Sequence, residues 1–273
     1  MNIFSILLTQ PLTNGLILFY KVLGQNMGFA ILGFGLFLRF ILNPLTKPYM
    51  ASMKKMKAYE KELKALKERH QGDKQKTMTA QADFYKEKGI NPGAGCLPYL
   101  LQIVVLIAFF NVFTRVLGAS ADATILNETL YAPLKFSQGE VLNTKFLYLN
   151  LTVPDAYQFP GFPIKIPGPL LILAAFLQFI SAKMAAPYVA LEKKVAKKTV
   201  DPTDDMQVAM QGSMVYMFPL MTLVFGLSFP SALALYWLLF SIFQAWQQYK
   251  SSGWGGMTPF ISKLGLLKST NGK

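Results

Sequence analysis

The residue best suited to intramembrane chemistry is Arg39, in the apolar stretch FGLFLRFILNPLT that runs from Phe34 to Thr46. A guanidinium in hydrocarbon costs about 2.5–3.5 kcal/mol even on lenient insertion scales, so its presence requires a reason. On a helix, Arg39 shares a small and polar face with Gly28, Leu32, Gly35, Asn43 and Thr46. The bulky residues that fall largely on the opposite face are Phe34, Phe37, Ile41 and Leu45. This pattern predicts that Arg39 points away from lipid.

Other apolar stretches carry uncharged polar residues suited to the same kind of site. These residues are Gln102, Asn111, Gln178, Ser181, Trp237, Ser241, Gln244 and Gln248. Together with Arg39 they indicate a hydrated cavity in the inner leaflet. Two simpler interpretations remain. In the first, Arg39 extends its side chain to the membrane surface (snorkelling), since it lies about 9 Å from the cytoplasmic end of its stretch. In the second, the polar residues join helices to one another through hydrogen bonds.

Several chemistries lack the residues that they require. Cys96 and His70 are the only residues of their types, which excludes an internal disulfide and a His-rich metal site. No Asp or Glu lies in the five apolar stretches, which disfavours ion-coupled transport. An intramembrane hydrolase needs a base beside Ser181 or Ser241, and only Lys183 is near. No catalytic residue or cofactor is therefore predicted, and a small-solute channel or transporter is the alternative function.

The overall composition indicates a membrane protein with basic extramembrane parts. Of 273 residues, 52% are apolar, and the net charge is +13. A basic nucleic-acid-binding domain does not contain repeated apolar stretches of about 20 residues. The composition therefore favours an all-α polytopic membrane protein.

Five apolar stretches are predicted to cross the membrane. They are residues 27–45, 97–116, 168–187, 212–229 and 231–248, and Pro230 makes the last two a tight helical hairpin. The connections on one side carry 21 Lys and Arg residues, and those on the other side carry five. The positive-inside rule then places the N-terminus outside and the C-terminus in the cytoplasm.

The remaining segments are assigned by composition. Residues 1–25 are predicted to form an outer interfacial amphipathic helix, with a cleaved signal peptide as the alternative. Residues 117–167 form an outer loop without a strong period, residues 188–211 a cytoplasmic loop, and residues 249–273 a basic cytoplasmic tail.

Residues 46–95 are predicted to form a cytoplasmic helical hairpin. Apolar residues recur every three to four positions from Lys47 to Arg69, and the turn signal QGD follows at Gln71–Asp73. The basic residues of this hairpin form either a solvated face or a docking surface for RNA, acidic partners or anionic headgroups. These residues are Lys54, Lys55, Lys57, Lys61, Lys64, Lys67 and Arg69.

The order of these features resembles the YidC family of membrane protein insertases, in the Oxa / Albino / YidC superfamily. The segments that carry the resemblance are LRFILNPLTKPYMASMKKM, INPGAGCLPYLLQ and FPLMTLVFGLSFPSALALYWLLFSIFQAWQQY. The resemblance extends from about Thr13 to Gln248 and fits a short form without the large outer domain typical of Gram-negative members. The chain also shows no lipobox cysteine of the kind that many Gram-positive members carry.

The resemblance implies five transmembrane helices around a hydrophilic groove that is open to the cytoplasm and to lipid. Arg39 is its implied central charge, and Gln178, Trp237 and Gln102 its implied lining. Asn43, Ser181, Ser241 and Gln244 complete the predicted groove. The implied function is a non-enzymatic insertase and folding chaperone in a bacterial plasma (inner) membrane. Its implied partners are nascent membrane proteins, the lipid bilayer, the Sec translocon, the ribosome and the signal recognition machinery, but not DNA.

Overall fold

The computed structural model describes residues 5–70, 73–91, 97–116, 123–161, 163–185 and 202–265, and helices dominate these ranges. The helices of the first half are α1 (Gln10–Val22), α2 (Met27–Ala58), α3 (Glu60–Arg69), α4 (Lys74–Glu87) and α5 (Leu97–Val116). The described residues of the second half contain α6 (Pro169–Ala185), α7 (Pro202–Gly226), α8 (Ser231–Ser252) and the short α9 (Thr258–Lys263). A π-helical turn, Ser5–Thr9, precedes α1.

Helix α2 continues well beyond the predicted end of the first span at residue 45. Its 32 residues reach Ala58, and the backbone turns at Tyr59, where φ is −96° and ψ is 13°. Pro44 and Pro48 lie inside this helix, where each removes one N–H donor without ending it. Part of the segment assigned to the hairpin is therefore a continuation of the first apolar helix.

Apolar character is distributed unevenly among the helices. Within the described residues, only Met27–Pro44 of α2 combines the length and hydropathy needed to cross a membrane, with a mean hydropathy of 1.6. Shorter apolar stretches occupy Ile103–Thr114, Pro169–Met184 and Val215–Gly226.

The chain packs as two compact units. The first contains the described parts of Met1–Pro44, Tyr99–Phe176 and Leu220–Ser241. Its centre is aromatic, with the ring of Phe109 4.6 Å from that of Tyr236 and 5.4 Å from that of Phe113. Leu16, Ile17 and Leu233 are almost completely buried around these rings. The close packing of these rings and side chains holds the helices of the unit together.

The predicted lipid-facing position of Phe34 is wrong. Phe34 is only 4% exposed, and its ring lies 5.5 Å from Phe19 of α1 and 6.0 Å from Phe109 of α5. Helix α1 covers it at Gly15, where a side chain would overlap the Phe34 ring. The helix periodicity does not anticipate a covering helix, whereas Phe37 and Ile41 from the same predicted face do remain about half exposed.

The long loop between α5 and α6 is built from short elements. It contains the 3₁₀ segments Ala123–Glu128 and Ala132–Leu134 and four two-residue strands. Strands β1 (Lys145–Phe146) and β2 (Leu149–Asn150) pair antiparallel. Strands β3 (Ala156–Tyr157) and β4 (Ile166–Pro167) form a second antiparallel pair.

This loop supplies hydrogen-bond acceptors to the first residues of three helices. The amide of Met27 at the start of α2 donates to the Asn143 carbonyl at 2.9 Å. The amide of Ser231 at the start of α8 donates to the Val153 carbonyl at 2.8 Å. Since the first four N–H groups of a helix have no partner within it, the loop acts as a shared N-terminal cap.

The start of α6 is capped by side chains of the same loop. The Leu171 amide donates to Oδ2 of the buried Asp155 at 3.0 Å, and the Leu170 amide donates to the Tyr148 hydroxyl at 2.8 Å. That hydroxyl in turn donates to Asp155 Oδ2 at 3.2 Å. Desolvation of the phenol, together with the adjacent carboxylate, raises the pKa of Tyr148 to about 12. The phenol therefore keeps its proton, and with it the hydrogen bond to Asp155, to higher pH than an ordinary tyrosine.

The second unit contains the described parts of Leu45–Pro98, Leu177–Pro219 and Ile242–Lys273. Within it α3 and α4 enclose a small core of Leu63, Phe84, Tyr85 and Ile90. Asp73 caps α4 by accepting from the Lys76 amide at 3.0 Å, and this hydrogen bond lowers the pKa of the Asp73 carboxyl. The Lys55 ammonium of α2 donates to the Gly89 carbonyl at 3.0 Å, which connects the end of α4 to α2.

We expect replacement of Asn14 by alanine to destabilise the first unit. The buried Asn14 amide donates to the Thr129 carbonyl at 3.0 Å and accepts from the Tyr131 amide at 2.7 Å, joining α1 to the loop. Losing both bonds should cost about 1–3 kcal/mol because backbone groups of the loop are left unsatisfied. Circular dichroism in detergent should then show thermal unfolding several degrees lower.

The matched control is the exposed Gln138 of the same loop, replaced by alanine. Equal unfolding temperatures for the Asn14 and Gln138 variants would contradict the assigned role of Asn14.

Candidate functional site

Arg39 lies where α2 and α8 approach each other closely. An added Cβ at Gly35 would lie 2.7 Å from Leu239 Cδ2 and 3.5 Å from the Tyr236 ring, so glycine allows this approach. One turn further along α2, the guanidinium carbon of Arg39 lies 3.8 Å from the centroid of the Phe240 ring. The Tyr236 hydroxyl also accepts a hydrogen bond from the guanidinium. Aromatic contacts of this kind orient a cation without neutralising its charge.

Arg39 also marks a change in packing along both helices. In α2, Met27, Ala30 and Ile31 are completely buried, whereas every described side chain from position 36 to position 44 is partly or fully exposed. In α8, all seven residues from Ser231 to Trp237 are buried, whereas beyond Trp237 buried positions such as Ser241 and Gln248 alternate with exposed ones such as Ile242, which is 49% exposed. The charge therefore lies at the border between a closely packed region and an accessible one, and is itself partly buried.

The other predicted groove residues of the first unit differ in their surroundings. Asn43 is partly buried one turn after Arg39, and Trp237 is 9% exposed within the packed part of α8. Ser241 is 1% exposed, and its hydroxyl donates to the Trp237 carbonyl of its own helix at 2.8 Å. Since this bond uses the single donor of the hydroxyl, Ser241 donates to a guest only by giving up this bond, although its oxygen can still accept.

Three further predicted groove residues, Gln178, Ser181 and Gln244, belong to the second unit. Gln178 and Gln244 are partly buried, and Ser181 is 4% exposed. Across the described residues, the Ser181 hydroxyl is the one buried side-chain group without a hydrogen-bond partner. A buried hydroxyl in this state costs about 1–3 kcal/mol unless water or a bound polar group satisfies it. A single groove that joins these residues to Arg39 stays a prediction.

Some predicted residues lie outside the part of the chain that the structure describes. The side chain of Gln102 is one of them, although its backbone lies in α5. The same holds for the side chains of Lys57, Lys64 and Lys67. The other basic residues predicted for docking on the cytoplasmic hairpin are described. Lys54, Lys61 and Arg69 are exposed, and Lys55 makes the contact with the end of α4 given above. Residues 186–201, most of the predicted cytoplasmic loop, also lie outside the described ranges.

The sequence prediction missed the aromatic partners of Arg39. Tyr236 and Phe240 are four residues apart in α8, as Gly35 and Arg39 are in α2, so each pair lies on one helix face. The spacing of four residues in both pairs was the sequence signal that could have identified Tyr236 and Phe240 as partners of Arg39. In the described residues, no group of three or more His, Cys, Asp or Glu side chains is placed to hold a metal ion.

Comparison with known proteins identifies a family over most of the chain. The family model described as "60Kd inner membrane protein" matches residues 18–253. The protein named membrane protein insertase YidC 2 from Bacillus anthracis is 30% identical over 247 residues, which are 89% of this chain and 78% of that relative. The membrane protein insertase YidC of Chlorobium luteolum is 31% identical over 226 residues, covering 82% of this chain. The chain spans 33% of that longer relative.

We expect Arg39 and Phe240 to be energetically coupled. The contact should contribute about 1–2 kcal/mol because the cation is partly desolvated. A double-mutant cycle with Arg39→Gln and Phe240→Leu, followed by denaturant unfolding in micelles, measures this coupling. The exposed Phe29, near the start of α2, replaces Phe240 in the control cycle. Additivity to within about 0.5 kcal/mol in the Phe240 cycle would contradict the contact.

Proposed function

Because the chain belongs to the YidC/Oxa family of membrane protein insertases, whose model is described as "60Kd inner membrane protein", we propose that it inserts newly made membrane proteins into a bacterial inner membrane. It also assists their folding there. The observation that carries the proposal is the placement of Arg39, a partly buried cation at the point where α2 and α8 become accessible.

The proposed architecture has five membrane-spanning helices around a hydrophilic groove. The spans are the apolar parts of α2, α5, α6, α7 and α8, with the N-terminus outside and the C-terminus in the cytoplasm. The excess of Lys and Arg in alternate connections supports this orientation. Burial of the first residues of α2 and α8, followed by less complete burial, supports a groove that is closed toward the outer side and open toward the cytoplasm and lipid.

The proposed mechanism is solvation rather than covalent chemistry. A short hydrophilic tail of the substrate enters the groove, where Arg39 and the polar side chains lower the cost of moving it partway across hydrocarbon. An acidic group in that tail interacts favourably with Arg39, and the attraction is stronger there than in bulk water. The apolar segment of the substrate then leaves sideways into lipid, driven by about 25 cal/mol per Å² of apolar area removed from water.

Two predicted groove residues gain specific roles in this mechanism. The Ser181 hydroxyl is buried and has no partner among the described residues. It is therefore suited to form a hydrogen bond with a polar group that enters the groove. Asn43, one turn beyond Arg39, is suited to meet the tail first, because it lies nearer the proposed cytoplasmic end. Each group can form a hydrogen bond with either water or the entering peptide, and the two alternatives differ little in free energy.

The proposed partners follow from the same family membership. Nascent membrane proteins are the substrates, and the Sec translocon, the ribosome and the signal recognition machinery are partners of delivery. The exposed Lys54, Lys61 and Arg69 are the proposed contact points for substrate or acidic partners.

We expect Arg39→Ala to reduce insertion of a single-span substrate with an acidic tail about tenfold, which corresponds to about 1.4 kcal/mol in the barrier. Arg39→Lys should retain most of the activity because the positive charge is kept. Insertion is measured by protease protection in vesicles that contain the purified protein.

A charge-shifted variant provides the matched control. Combining Arg39→Leu with Ile41→Arg preserves net charge and depth but moves the cation to the opposite, lipid-exposed face. The groove mechanism predicts loss of insertion in this variant, whereas snorkelling predicts wild-type insertion. Wild-type activity of both Arg39→Ala and the shifted variant would therefore refute the groove mechanism. Solute flux through the same vesicles, without insertion, would instead identify a channel or transporter.

A further inference from the structure

Leu147 has an exposure and a backbone conformation that packing does not explain. It is 84% exposed, and its φ is +55°. It occupies the first position of the two-residue turn between β1 and β2, where a positive φ favours Gly, Asn or Asp. Leucine therefore strains the backbone there and exposes apolar surface to water. Local strain of this kind is typical of functional positions.

The turn is held at the level of the first residues of two apolar helices. Just before α2, the Asn26 side-chain amide donates to the Lys145 carbonyl at 2.9 Å, and the Phe146 ring packs edge-to-face on Phe29 at 5.3 Å. On the other side, Tyr148 accepts from the Leu170 amide at the start of α6 at 2.8 Å. Leu147 lies between these two attachments and cannot move far from the helix ends.

The residues beside Leu147 match the chemistry of a lipid–water boundary. Lys145 is exposed and carries the charge that phosphate headgroups attract, and Tyr148 is 53% exposed with its hydroxyl bound to the loop. Aromatic residues with one polar end are enriched at membrane interfaces. A cation, an aromatic ring and a leucine within four positions thus form a short amphipathic tip.

We propose that this tip is a lipid anchor, with Leu147 inserted into the boundary between headgroups and acyl chains of the outer leaflet and Lys145 beside the lipid phosphates. The anchor holds the loop that caps α2, α6 and α8 against the membrane surface. It rests on the proposed membrane topology, because only then do the helix ends lie at that surface.

Depth measurements in the full-length protein test the anchor. The single native thiol is removed by Cys96→Ser, and one cysteine is introduced by Leu147→Cys for labelling with an environment-sensitive fluorophore. The protein is placed in vesicles of phosphatidylethanolamine and phosphatidylglycerol that carry a spin-label quencher near the headgroup or near the chain end. Matched proteins carry the label at Gln138, exposed in the same loop, and at Phe37, 45% exposed on the face of α2 opposite Arg39.

The anchor predicts blue-shifted emission at position 147 and about twofold stronger quenching by the shallow spin label than by the deep one, since interfacial groups insert about 5–10 Å. Position 138 should report water. Aqueous emission at 147, or blue-shifted emission without lipid quenching, overturns the anchor. If the anchor fails in this way, deep quenching at position 37 leaves the membrane placement of α2 intact, whereas aqueous emission at position 37 overturns that placement and the anchor with it.

Discussion

The packing of aromatic rings around Phe109 is the interaction on which the rest of the first unit depends. Phe109 contacts Tyr236 of α8, with ring centroids 4.6 Å apart, and Phe34 of α2, at 6.0 Å. These contacts fix the N-terminal parts of α2 and α8 side by side, and Gly35 lets the helices remain close for one further turn. Arg39 is positioned as a consequence, beside Phe240, where the close packing ends.

A second constraint is the need to satisfy the first backbone amides of three helices. The loop between α5 and α6 meets it with carbonyls of Asn143 and Val153 and with the side chains of Tyr148 and Asp155. A segment with little regular structure thereby fixes the relative positions of the helix ends in this unit. In the proposed membrane setting, the satisfied amides lower the cost of placing those ends near hydrocarbon.

Local sequence patterns predicted much of the helical content. Apolar stretches and Pro230 indicated where helices lie. The predicted first span ends at residue 45, where the apolar composition ends, whereas α2 continues to Ala58 because a helix does not need apolar residues to continue. The burial of Phe34 and the capping loop were missed because they depend on partners distant in the chain, which periodicity does not reveal. The proposed groove face of Arg39 stays a prediction, and its neighbours Tyr236 and Phe240 were not predicted because they lie about 200 residues away in the chain.

In the proposed mechanism, the face of α2 that carries Arg39 receives the polar part of a substrate. Site-specific photocrosslinking to ribosome-bound nascent chains of a single-span protein with an acidic tail distinguishes this face from the opposite one. The photoreactive residue is placed at Asn43, on the Arg39 face, or at Ile41, on the exposed opposite face. We expect crosslinks from position 43 to the hydrophilic tail and none to that tail from position 41. Equal crosslinking of the tail from both positions, or from position 41 alone, would refute the groove mechanism.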